Sequence, residues 1–96
     1  MAKVTKVIDA ENTFTNGLEV GMGGATIIVG DDSSFSGTLT LQVTTEDFTG
    51  YVDNITYTGE VIDIVNGSQE ITVRVGCKTG EYTSGSIKVA IYRNVV

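Results

Sequence analysis

Cys77 and Lys78 stand side by side in a chain that contains no histidine. An ammonium beside a thiol is one arrangement that lowers a cysteine pKa and creates a nucleophile. Without an imidazole, however, the commonest general base and metal ligand is missing. Cys77 follows a strand glycine, Gly76, and is expected as a plain, partly buried, small apolar residue. The serines also lack a histidine base, and no G-x-S-x-G elbow occurs. Twelve Asp and Glu residues make a pair of catalytic carboxylates conceivable. Most lie in turn-like segments, and so small a domain offers no obvious cleft. Calcium would need Asp31-Asp32 to converge with Glu46-Asp47 or Asp53. No D-x-[DN]-x-[DN]-G spacing is present, and paired acids commonly form turns by accepting bonds from their own backbone. The glycine-rich "GMGGAT" over 21–26 has no helix after it, so it reads as a turn and not as a phosphate cradle. Tyr51, Tyr57, Tyr82 and Tyr92 could stack on sugars or bases, but on β surfaces they serve more often as cross-strand partners. The expectation is a non-enzymatic chain with no cofactor and no metal.

The elements that would position these residues are strands. Val, Ile and Thr far outnumber Leu, Ala and Met, and β-branched side chains suit a pleated surface. The segment "GTLTLQV" (37–43) alternates cleanly, with Leu39, Leu41 and Val43 on one face and Thr38, Thr40 and Gln42 on the other. Ile71, Val73 and Val75 share a face, as do Ile87, Val89 and Ile91, and "YVDNITY" places Tyr51, Asp53, Ile55 and Tyr57 on one parity. Asn66-Gly67 predicts a type I′ hairpin between "EVIDIV" and "EITVRVG". About eight short strands with turn signals every 8–12 residues predict an all-β fold. Its expected form is a single antiparallel β-sandwich over 1–96, immunoglobulin-like or jelly-roll. Residues 1–9 form either a first strand or an extended N-terminal arm.

Two strands depart from one-sided alternation. "ATIIV" sets Ile27 and Val29 against Ile28, and "VIDIV" sets Ile62 and Ile64 against Val61 and Val65. A strand in a two-layer sandwich needs one apolar face. The second face reads either as a bulge or loop-covered segment, or as a surface buried against another subunit. The net charge is −6, and residues 9–70 carry eleven acids and no base. Nucleic acid and anionic membranes are therefore poor partners, whereas basic end segments and an acidic body could meet complementary neighbours. No apolar run approaches a membrane span, no secretory signal is visible, and one cysteine cannot form an intrachain disulfide. Folding in a reducing cytoplasm is expected. Polarity and position nominate three contact regions: the arm (Lys3, Val4, Lys6), the two-sided strand (Ile27, Ile28) and the corner loop (Lys78, Glu81, Tyr82).

"FSGTLTLQ" (35–42) and "RVGCKTGEYTSG" (74–85) carry a further signal. With the strands between and after them, they resemble a family of small β-sandwich virion proteins of tailed bacteriophages. The resemblance covers about the C-terminal two-thirds of the chain. Val43-Thr44-Thr45 departs from the family pattern, in which a basic residue and a serine often follow T-L-Q. The resemblance implies a capsid decoration or cement protein, made in the host cytoplasm and located on the capsid surface of the virion. Such a protein folds alone, binds the major capsid protein lattice and braces it against internal pressure. It also implies self-association as a dimer or trimer. A minor head, collar or tail-fibre component is the alternative within the virion, and a carbohydrate-binding module is the alternative outside it. The Gly76–Gly85 stretch is expected as a structural corner and contact loop.

Overall fold

The computed structural model describes residues 2–30, 34–67 and 71–94. Eleven strands follow one another: β1 (Lys3–Ile8), β2 (Thr13–Phe14), β3 (Leu18–Val20), β4 (Ala25–Gly30), β5 (Ser36–Gly37), β6 (Leu39–Thr44), β7 (Val52–Tyr57), β8 (Val61–Val65), β9 (Ile71–Cys77), β10 (Tyr82–Ser84) and β11 (Ile87–Arg93). There is no helix among the described residues. One sheet has the order β1-β11-β4-β8; the other runs β2-β9-β6-β7 with β3 also on β9; β5 and β10 form a separate ribbon. All pairings are antiparallel.

With the short β2, β5 and β10 set aside, eight strands remain, and their pairings nest. First pairs with last (β1 with β11), second with seventh (β3 with β9), third with sixth (β4 with β8) and fourth with fifth (β6 with β7). A chain paired in this way is one long hairpin rolled into two facing sheets, which is the jelly roll and not the immunoglobulin-like order. The expected first strand forms, as β1 on β11, and is not a free arm.

The alternating residues fill the space between the sheets. Ile8, Ile27, Val29, Ile87, Val89 and Ile91 from one sheet meet Val20, Leu39, Leu41, Val73, Val75 and Cys77 from the other, and all are essentially inaccessible. Burying each such aliphatic side chain contributes about 1.5–3 kcal/mol relative to exposure.

Two local expectations fail for physical reasons. Asn66-Gly67 makes no hairpin, because β8 pairs with β4 and β9 pairs with β6 and β3, in opposite sheets. Neither residue takes the positive φ that a type I′ turn requires. Gly67 is instead used for close approach, since a Cβ there would lie 1.9 Å from the Met22 carbonyl oxygen. In β7, a bulge sets Leu41 opposite Ile55 and Gln42 opposite Asp53, which leaves Asn54 as an extra residue. Parity therefore flips midway, so that Asp53 faces out while Tyr57 faces in.

Tyr57 and Asp63 close the open side of the sandwich. The Tyr57 hydroxyl on β7 donates to Asp63 Oδ2 on β8 at 2.8 Å, joining the edge strands of opposite sheets, and Asp63 Oδ1 accepts from the Ile64 amide at 2.9 Å. Burial, reinforced by the Asp63 hydrogen bond and charge, pushes the Tyr57 phenol well above its ordinary value. Because the raised pKa belongs to the folded state, this group's contribution is complete below the ordinary tyrosine value of about 10. It is lost as pH rises through the folded-state value. Tyr57→Phe is expected to cost about 1–2 kcal/mol at neutral pH. It should also remove part of the stability loss expected above about pH 10. Urea melts of both proteins at neutral and alkaline pH check both outcomes.

Candidate interaction surfaces

The outer face of the β9–β6–β7 sheet carries a continuous polar and aromatic network. Arg74 on β9 lies between two rings, its Cζ 4.3 Å from the Phe14 centroid and 3.9 Å from the Tyr51 centroid. Its Nε donates to Gln42 Oε1 at 2.8 Å, and Gln42 Nε2 donates in turn to Asp53 Oδ1 at 2.9 Å. Asp53 Oδ2 then meets Lys78 Nζ at 2.6 Å. The hydrogen bonds from Lys78 and Gln42 hold the Asp53 carboxyl below its ordinary range, and Asp53 holds the Lys78 ammonium above its own. Both ends of this ion pair are well exposed, so its contribution to stability is small.

The Gly76–Gly85 stretch folds back over the same sheet. Glu81 accepts the Thr40 hydroxyl through both oxygens, at 2.9 and 3.0 Å, and accepts the Lys78 amide at 2.9 Å. The Thr38 amide donates to the Glu81 carbonyl at 3.0 Å. Thr40, expected on an outward face, is consequently wholly buried beneath the corner. The Tyr82 hydroxyl donates to the Gly85 carbonyl at 2.9 Å, and its ring packs tilted against Phe35 at 6.3 Å. The corner-loop contact candidates Lys78, Glu81 and Tyr82 are thus all engaged within the chain. Cys77 is fully buried and donates its Sγ–H to the Thr38 carbonyl at 3.2 Å. Burial, and then the charges of Glu81 and Glu11, push its thiol up, the opposite of an activated nucleophile.

The outer face of the β1–β11–β4–β8 sheet is different in kind. Ile27 points into the core, whereas Ile28, 37% exposed, points outward beside Ala90 of β11 and Ile62 of β8. Ile62 and Ile64 are 71% and 64% exposed. The two-sided pattern of "ATIIV" and "VIDIV" thus becomes one apolar surface on adjacent strands. Of the arm candidates, Lys3 and Lys6 are exposed and Val4 is half-buried, all on the edge strand β1.

Among the described residues are two surface hollows. One, of about 850 Å³, is lined in part by Glu19, Met22, Glu46, Asp47 and Arg93, a larger depression than so small a domain led us to expect. The other, of about 540 Å³, lies at the open side of the sandwich and includes Phe48, Val52, Ile55 and Ile64. Among the described residues, no three His, Cys, Asp or Glu side chains group together as a metal site. Asp31 and Asp32, the first calcium candidates, lie outside the described residues. No helix among the described residues is long and apolar enough to cross a membrane.

Sequence reasoning missed the Phe14–Arg74–Tyr51 stack, whose members come from three distant segments. Gly17 lies close beside this stack, since a Cβ there would lie 2.6 Å from the Tyr51 hydroxyl oxygen. No family model matches the chain, and neither the curated proteins nor the solved structures contain a significant match.

Proposed function

We propose that this chain is a non-enzymatic structural protein of a tailed-bacteriophage virion. In this reading it is a capsid decoration protein that binds the outer surface of the major capsid protein lattice and stabilises the head. The observation that carries the reading is the exposed apolar face of Ile28, Ile62 and Ile64. The same domain commits its arginine–aromatic stack and its corner loop to contacts within the chain, which hold its own fold. Contiguous apolar surface on a small domain marks a place that another protein covers. The "FSGTLTLQ" and "RVGCKTGEYTSG" motifs, which resemble the virion family, point to the kind of assembly. Copies self-associate, and individually weak capsid contacts sum through multivalency. The edge strand β1 supplies Lys3 and Lys6 for the capsid contact. A sugar-stacking role is less well supported: Tyr51 lies against Arg74, Tyr57 is buried and Tyr82 packs on Phe35.

The test is copy number relative to the major capsid protein, measured by quantitative mass spectrometry of purified particles. Abundance comparable to the capsid protein is the expected result. A trace amount would move the assignment to a collar, vertex or tail part. Complete absence would overturn the virion reading.

A further inference from the structure

The outer face of the β1–β11–β4–β8 sheet has a layout that complements itself. Its middle row, read across the sheet, is Thr5, Ala90, Ile28 and Ile62. On one side of this row stand, across the sheet, Lys3, Tyr92, Thr26 and Ile64. On the other side the row begins with the exposed Val7 on β1, opposite Lys88, and then turns charged. Lys88 on β11 pairs with Gly30 on β4, and Glu60 Oε2 lies over that glycine, 3.3 Å from where a Cβ would stand. Base and acid therefore occupy opposite halves of the face, with a small residue (Ala90) and a large one (Ile28) side by side at its centre.

We propose that two copies of this chain pack through this face, about a two-fold axis running along the strands between β11 and β4. That operation lays β11 of one copy over β4 of the other and keeps the rows aligned. Ala90 of each copy then meets Ile28 of its partner copy, small against large. Ile62 of each lies over Thr5 of the other, and Lys88 of each approaches Glu60 of the other. Each copy thus turns its base toward the other's acid and its small residue toward the other's large one, as an isologous contact requires.

The edge of the same sheet is a poorer route to a dimer. β8 reads V-I-D-I-V in both directions, so antiparallel pairing with a second β8 would match Ile62 with Ile64. The same register would set Asp63 against Asp63 on the inner side, where each carboxylate already accepts from Tyr57. Like charges opposed across strands are destabilising, and an inward-pointing charge is a known guard of sheet edges. The edge is guarded while the face is open.

Four strands about 4.8 Å apart, with five to seven residues each at about 3.4 Å, make a face of roughly 20 by 20 Å. This is the small end of specific interfaces, so a micromolar dissociation constant is expected. The inference rests on reading the chain as a self-associating assembly component, but it does not depend on the capsid.

The experiment is sedimentation equilibrium of the purified full chain from about 1 to 500 μM, without particles. A monomer–dimer equilibrium is expected. Ile62→Asp, at a position too exposed to disturb the fold, should weaken it at least tenfold while leaving the circular dichroism spectrum unchanged. Lys88→Glu and Glu60→Lys should each weaken the dimer, and the double variant should recover it. A wild-type chain that stays monomeric throughout would overturn the proposal, as would a trimer. A dimer indifferent to Ile62→Asp, or a charge-swapped double variant that does not recover, would overturn the face or its two-fold register. Because copy number is read on particles and self-association on the isolated chain, either reading can fail while the other stands.

Discussion

Gly24→Ala is expected to lower the thermal midpoint of this protein by about 15 °C or more. Gly24 sits at φ +70°, where an alanine Cβ is crowded by its own backbone. The added methyl would also lie 2.0 Å from the Val65 carbonyl oxygen and 2.8 Å from the Gly67 nitrogen. Both contacts are with backbone, so no side chain can swing aside. Gly67 faces the Gly21–Met22 backbone just as closely. Here two connections, one between β3 and β4 and one between β8 and β9, press backbone against backbone. The Gly24 amide donates to the Gly21 carbonyl and the Gly24 carbonyl accepts from Asn94, so movement there disturbs the end of β11 as well. We expect a loss of about 3 kcal/mol or more, at about 4–8 °C per kcal/mol for a domain of this size. Gly59→Ala is the control. Nothing lies within 4 Å of its added Cβ and its φ is not positive. Reduced freedom of the unfolded chain should make that change neutral or stabilising by up to about 1 kcal/mol. Thermal melts followed by circular dichroism compare the two, and equal losses at both positions would refute the close-packing account.

Arg74→Ala is expected to cost about 3 kcal/mol, chiefly through lost cation–π stacking and a lost hydrogen bond. The guanidinium touches a ring on each face, and each cation–π contact contributes about 0.5–2 kcal/mol depending on desolvation. Truncation also leaves Gln42 Oε1 without its donor, and Gln42 is only 7% exposed. Phe14 and Tyr51 would then flank a gap. Arg74→Lys should recover only part of the loss, because an ammonium cannot stack as a plane between two rings while also donating sideways. Urea unfolding of the three proteins, with unchanged m-values, would measure this. A lysine variant as stable as wild type would show that charge, and not the stacked plane, is what matters at this position.

The parts of the fold legible in the sequence were those specified locally. Alternation in 37–43 correctly put Leu39 and Leu41 in the core, and the same reading held for Val73, Val75, Ile87, Val89 and Ile91. The choice between jelly roll and immunoglobulin-like order was not legible, because it depends on which distant strands pair. The Asn66-Gly67 signal misled for a related reason: glycine serves tight turns and close backbone approach equally well, and only the neighbour, here Met22, distinguishes them. The bulge at Asn54 reversed the parity of β7 with no marker in the residues themselves. At the candidate surfaces, the doubled apolar pattern of "ATIIV" and "VIDIV" announced an outward face, and Ile28, Ile62 and Ile64 occupy it. Glu81 and Tyr82 looked like loop residues free for contact. Their partners, Thr40 for one and Gly85 with Phe35 for the other, keep them at home.

The nested pairing of the strands also orders the way the chain reaches its native state. Among the described strands, only β6 and β7 are both consecutive in sequence and paired, through a connection that includes the turn closed by the Phe48 amide on the Thr45 carbonyl. Each later pairing joins segments farther apart, ending with Lys3 opposite Tyr92. Loop-closure entropy makes such distant contacts slow to form until nearer ones have shortened the path. Folding that starts at the β6–β7 tip and zips outward meets this cost in small steps, with β1 and β11 closing last. Until they close, the apolar inner sides of β4 and β9 would be open to water and to other chains, so the pairing of the two chain ends also guards against aggregation.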